Sequence, residues 1–154
     1  KTNSAYNAML SMKDGTTDYI RRGEDLTKYY NIGEFIVTKI YNVTSQNLID
    51  LTMKGPGLRK LNGGRMMNVA PSKVPRIIGK QGSMVSMIKR ATNSNIVVGQ
   101  NGVVWVKGVT PEDELITVET IKKVEAESHI PGLTNIIKKF LEKKGKKVIL
   151  EGEA

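Results

Sequence analysis

The sequence predicts an α+β chain of two small units, and three observations predict it. Chain breakers cluster at Lys54-Gly55-Pro56-Gly57 and again at Asn62-Gly63-Gly64, between regions of different patterning. Before them lie short β-branched and aromatic runs, and after them strand-like runs alternate with helix-like ones. A length of 154 residues suits one ordinary domain or two small ones. The expected divisions are a β-rich unit over residues 1–62, an α/β unit over 63–130, and a helix with a basic tail over 131–154.

In the first unit, residues 4–12 read as a strand and residues 18–26 as a short helical or irregular excursion. Residues 34–43 and 48–53 read as two strands joined through Thr44-Ser45-Gln46-Asn47. Three strands alone make a poor core, and the pattern opens mid-run at Lys1 to Tyr6. The expectation is a five-stranded barrel without its first strands, whose exposed strand edges another segment or subunit must cover. These pieces resemble the OB-type RNA-binding domain first named in a ribosomal small-subunit protein, the S-one type.

In the second unit, residues 64–70 read as a short strand. An apolar helical turn follows, with Pro75 suited to its first position, then the loop Gly79-Lys80-Gln81-Gly82 and a second apolar helix. Residues 95–99 and 103–107 are β-branched runs separated by Gln100-Asn101-Gly102, where Asn-Gly favours a tight hairpin. A longer helix starts at Thr110-Pro111-Glu112-Asp113, with a capping residue, a first-turn proline and acids at the positive dipole end. Leu115, Val118, Ile121 and Val124 predict its apolar face, with Lys122 and Lys123 in solvent. After Pro131-Gly132, a last helix has Ile136, Ile137, Phe140 and Leu141 on its apolar side. Its lysines at 138–139, 143–144 and 146–147 read by default as a solvated face.

The glycine loop carries the functional signal. Two glycines around Lys80-Gln81 leave little side-chain bulk, so a sugar-phosphate backbone can approach closely while the next helix points its first amides at it. The spacing by itself also marks plain helix-to-helix turns. The order β-α-α-β-β-α around it, however, resembles a type I KH domain. That resemblance implies that Gly79, Lys80, Gln81 and Gly82 clamp the backbone of about four nucleotides. Arg76, Ile78 and Ser83 complete the expected RNA-binding set. Ile77, Ile78, Ile88, Ile96 and Val98 would form or border an apolar groove under the bases, ordinary core burial being the alternative for each.

A formal net charge of +9 favours acidic partners without choosing among them. No apolar run is long enough to span a bilayer, and no signal peptide is evident. The absence of cysteine removes disulfides and thiolate metal sites, which fits the cytoplasm. No catalytic constellation and no cofactor motif stand out. Ser128 next to the lone His129 is a poor hydrolase pair, since neighbours in sequence rarely face each other. Asp14, Asp18, Glu24 and Asp25 are irregularly spaced beside Arg21-Arg22, which reads as a solvated loop rather than a metal site. Met66, Met67, Met84 and Met87 read as core gap-fillers. Trp105 alternates within a valine-rich strand, so partial core burial competes with base stacking.

A barrel of the S-one type followed by a KH domain resembles the RNA-binding cap subunit of the archaeal exosome. The stretches that carry this are Asn3-Ser4-Ala5-Tyr6-Asn7-Ala8-Met9-Leu10, Gly23-Glu24-Asp25-Leu26, residues 70–79 and residues 127–134. Ala5 stands where many relatives have a proline, and the family's N-terminal region has no counterpart here. The resemblance implies a protein without chemistry of its own. Three copies would sit on a hexameric phosphorolytic ring and thread single-stranded RNA 3′ ends toward its pore. Two alternatives stay open: a fragment of a phosphorolytic exoribonuclease, in which the KH module would precede the barrel, and an architectural cap with an idle loop.

Overall fold

In a computed structural model, which describes residues 2–149, the chain divides into two compact units, Lys1–Asn62 and Gly63–Ala154. The first unit is built from short strands: β1 (Ala8–Leu10), β2 (Phe35–Ile36), β3 (Lys39–Val43), β4 (Ile49–Thr52) and β5 (Lys60–Leu61). β1 runs parallel to β4, and β3 runs antiparallel to it, in the order β1-β4-β3. β2 pairs instead with β5.

Two expectations for this unit change. The run 34–43 is two strands rather than one, because the chain leaves one sheet for the other between Ile36 and Lys39, where Val37 N donates to Arg59 O at 2.8 Å. The run 4–12 is a strand only at its centre. Met12–Gly15 forms a single helical turn, α1, after Ser11, whose hydroxyl donates to Asp14. Residues 18–25 are irregular and lead into a 3-10 turn, Leu26–Lys28, capped by Asp25.

The second unit contains β6 (Arg65–Asn68), α2 (Val74–Ile78), α3 (Ser83–Thr92), β7 (Ser94–Val98), β8 (Val103–Gly108), α4 (Pro111–Ala126) and α5 (Leu133–Lys143). Its sheet is antiparallel in the order β6-β8-β7. Strand alternation turns Val104 and Val106 toward the helices, where both are fully buried with Ile77, Ile88, Ile121 and Ile137. Met84 and Met87 lie in this core and Met67 packs at its edge. Trp105 faces the other way, between Met66 and Val97 across the strands, and its indole N–H donates to Gly63 O at 2.7 Å. At 6 % exposure it is a packed residue, not an open stacking platform.

The hairpin turns of both units share one design. Gln100-Asn101-Gly102 and Ser45-Gln46-Asn47 are three-residue loops whose last residue takes positive φ, 83° at Gly102 and 59° at Asn47. In α4 the predicted face holds at Ile121 and Val124, with Val118 half-buried against the core, but fails at Leu115. Leu115 is 50 % exposed, whereas Asp113, Ile116, Thr117, Thr120, Ile121 and Val124 are buried. Steps of three residues drift around a helix that turns every 3.6, so a row of threes cannot stay on one face. Thr117 and Thr120 enter the core because each hydroxyl donates to the carbonyl four residues back, Asp113 and Ile116, at 2.7 Å.

The C-terminal lysines are also more tied than a solvated face. Lys144 pairs with Glu119 at 2.8 Å and Lys146 with Asp113. Phe140 lies between Lys123 and Lys144, whose ammonium groups are 5.4 and 5.7 Å from its ring centre. Leu133, Ile137 and Leu141 anchor α5 in the core, with Ile136 and Phe140 half-buried beside them.

Candidate nucleic-acid interface

The loop between α2 and α3 is shaped by two glycines with different duties. Gly79 ends α2 at φ 77° and ψ 174°, its N–H bonded to Pro75 O at 2.9 Å. A Cβ there would lie 2.7 Å from both Met84 N and Met84 Cβ, so any side chain would collide with the start of α3. Gly82 precedes α3 in the left-handed region, φ 78° and ψ 12°, and a Cβ there would meet open space. Gln81 between them also takes positive φ, 53°. The loop thus turns its thin side outward and holds Lys80 and Gln81 exposed at its tip.

Electrostatics at the starts of α4 and α3 differ, with α5 sharing the glycine cap and acid-free first turn of α3. α4 is capped by Thr110, whose side chain accepts from Asp113 N at 3.2 Å, and carries Glu112, Asp113 and Glu114 in its first turn. α3 has glycine at the cap, no side-chain cap bond and no acid in its first turn. Its positive dipole end is therefore unneutralised, directly behind Lys80.

The predicted site residues separate by burial. Lys80, Gln81 and Ser83 are exposed, while Gly79, Gly82 and Ile78 are partly so. Arg76 is exposed, but its Nε donates to Ser128 O at 2.8 Å, which ties the guanidinium to the end of α4. Of the expected groove residues, Ile77, Ile88 and Ile96 are core, at 0, 0 and 3 % exposure. Ile78 and Val98 remain half-buried against that core. Val85 on α3 shares their status and was missed by pattern. Its position three residues before the buried Ile88 was the available signal.

The other tempting groups do not converge. Ser128 is buried with a hydroxyl that has no hydrogen-bond partner, whereas His129 is exposed. Asp14, Glu24 and Asp25 serve local turns, accepting from Ser11 Oγ, Arg21 N and Thr27 N. Among the described residues no group of three or more His, Cys, Asp or Glu is placed to hold a metal ion. Nor is any described helix long and apolar enough to cross a membrane.

Comparison with known proteins agrees with this geometry. Residues 64–112, which include the whole loop, match the KH domain family. The chain is 44 % identical over 141 residues to the exosome complex component Rrp4 of Pyrococcus furiosus, covering 90 % of this chain and 53 % of that protein. It is 45 % identical over 139 residues to the Rrp4 component of Thermococcus kodakarensis, covering 88 % and 54 %. For the Thermoplasma acidophilum component the figures are 43 % over 146 residues, covering 94 % and 61 %. The chain thus spans a little over half the length of these curated relatives. A crystal structure described provisionally as an exosome complex RNA-binding protein superposes with a TM-score of 0.81 at 30 % identity, covering 93 % of this chain and 82 % of that one. A KH unit with its glycine loop intact, preceded by a strand-rich unit and aligned with these proteins along most of its length, places the chain in the Rrp4 family of exosome components.

Proposed function

We propose that this chain is a non-catalytic RNA-binding cap subunit of an archaeal exosome, acting in the cytoplasm. Three copies sit on a hexameric phosphorolytic ring and guide single-stranded RNA 3′ ends to its pore. The observation that carries the reading is the α2–α3 loop: a thin Gly79-to-Gly82 turn with Lys80 at its tip, in front of an uncapped and acid-free helix start. Such a surface attracts phosphates and accepts a backbone at close range, which tolerates many RNA sequences. Gly79, Lys80, Gln81, Gly82 and Ser83 would hold the backbone, while Ile78 would lie under the bases. Arg76 would add charge from beside the loop.

The first unit, in this reading, contributes a partial OB barrel of the S-one type, and the α5 segment with its lysines closes the KH unit. The exosome and RNA names of the relatives support the assembly, in which chemistry belongs to the ring.

Titration of fluorescent single-stranded RNA against the wild type and the Lys80→Asp/Gln81→Asp double variant at fixed salt tests the loop. A loss of about ten-fold or more in affinity, with an unchanged circular dichroism spectrum, is the expected result. Equal affinity would make the loop idle and leave an architectural cap. Comigration with a reconstituted phosphorolytic ring on size exclusion tests the partner.

A further inference from the structure

Three positions in this chain place an Asn or Asp directly before a glycine: Asp14-Gly15, Asn62-Gly63 and Asn101-Gly102. In such a pair the glycine nitrogen can attack the side-chain carbonyl carbon, because glycine has no side chain to hinder ring closure. The attacking amide must shed its proton and turn from any acceptor, so an amide already hydrogen-bonded in a fixed turn reacts slowly.

The fold treats the three pairs differently. Gly15 N donates to Ser11 O at 2.9 Å, and the Asp14 carboxylate accepts from Ser11 Oγ at 2.8 Å. Gly102 N donates to Gly99 O at 3.1 Å, and the Asn101 side-chain oxygen accepts from Val103 N at 3.3 Å. A Cβ at Gly102 would collide with Val69 O, so that hairpin has no room to rearrange. Gly63 N, by contrast, has no acceptor among the described residues, and both Asn62 and Gly63 are exposed. The Lys107 ammonium lies 3.6 Å from where a Gly63 Cβ would stand. A cation there favours loss of the Gly63 amide proton and the negative charge that builds during attack.

We propose that Asn62 is a site of succinimide-mediated deamidation, which lengthens the chain at the boundary between the two units, Asn62 and Gly63. The Gly63 nitrogen gives its proton to solvent and bonds to Asn62 Cγ, while the Cγ–Nδ2 bond breaks and Nδ2 leaves as ammonia. Water then opens the imide. Opening at Cγ leaves aspartate. Opening at the main-chain carbonyl of residue 62 leaves isoaspartate, in which the chain runs through Cβ and Cγ and gains one methylene. That methylene enters a short span, because β5 ends at Leu61 and Gly63 O is held by the Trp105 indole at 2.7 Å. A Cβ at Gly64 would lie 2.8 Å from Trp105 Nε1, so the chain after Gly63 is pressed against β8 and cannot shift. The side that yields is the β2–β5 pair, two residues long, in a unit with no fully buried hydrophobic side chain among the described residues.

The test is incubation of the whole chain in mildly alkaline buffer, folded and in denaturant, followed by peptide mass spectrometry and labelling of isoaspartate by enzymatic methyl transfer. In the folded chain, deamidation at Asn62 should run several-fold ahead of that at Asn101, with no isoaspartate at Asp14. In denaturant the Asn62 and Asn101 rates should converge. Lys107→Gln should slow the Asn62 reaction in the folded chain and leave it unchanged in denaturant. The isoaspartate form should exchange its β2 and β5 amides faster than the unmodified chain, with Trp105 emission unchanged. Asn62→Gln should show neither the new mass nor the faster exchange on the same incubation. An Asn62 amide that lasts as long as that of Asn101 in the folded chain would overturn the proposal. So would a ratio of the two rates that is the same with and without the fold, since the adjacent residues alone would then set it.

Discussion

At the scale of single residues, Gly79 and Gly82 share a positive φ but answer to different constraints. Gly79 is caught between its own backbone angle and Met84, 2.7 Å from any added Cβ. Gly79→Ala therefore has no relaxed position and should cost about 2 kcal/mol or more. Gly82 meets nothing, so Gly82→Ala pays only the left-handed penalty, about 1–2 kcal/mol. Chemical denaturation of both variants separates the two cases. A Gly82→Ala variant as unstable as Gly79→Ala would contradict the open geometry. Both glycines stand out in the sequence, but which is needed by the fold and which faces outward depends on where α3 begins.

At the scale of elements, α5 and the residues after it are part of the KH unit's packing. Ile137 and Leu141 are fully buried, and Lys144 and Lys146 reach back to acids on α4. Ile137→Ala should destabilise the unit by about 2–5 kcal/mol, while Lys139→Ala on the exposed side should change it by less than about 0.5 kcal/mol. Asp113 makes the link pH-dependent. The hydrogen bond from Lys146 is the largest influence holding its carboxyl below the ordinary value of 3.8, against the opposing effect of burial. A depressed folded pKa means stabilisation that is present above the ordinary carboxylate value and is lost as pH falls through the folded one. Asp113→Asn should therefore lower the denaturation midpoint at pH 7, and the gap to wild type should close as the pH falls below the ordinary carboxylate value of 3.8 and through the depressed folded one. A gap that stays constant over that window would disconnect Asp113 from the pH response.

At the scale of the whole molecule, the two units differ in how they are held. The second has a continuous core from Val69 to Val148. In the first, among the described residues, no hydrophobic side chain is fully buried, and Met9, Phe35, Ile40, Tyr41 and Val43 are all more than half exposed. Local stability follows buried apolar contact. Amide hydrogen exchange should therefore be fast throughout β1–β5 and slowest in β8, α3 and α4. Comparable protection in both units would show that burial does not set their stability.

Much of the KH unit was legible in the sequence. Its element order, the helix start at Thr110-Pro111 and the glycine loop depend on local chemistry: capping, proline geometry and chain thinness are properties of a few adjacent residues. In the first unit, the strands around Ile40 and Leu51 were legible for the same reason, while the break at Val37 was not, because it depends on Arg59 more than twenty residues later in the chain. Tertiary structure alone decided which apolar residues of the loop region stay open. Ile77 and Ile78 are neighbours of the same type, yet one is sealed in the core and the other lies at its edge. It also tied Arg76 to Ser128 and brought Lys13, Arg22 and Lys54 to one cleft. No local pattern encodes such gatherings, because they join residues that only the packing of distant segments makes neighbours.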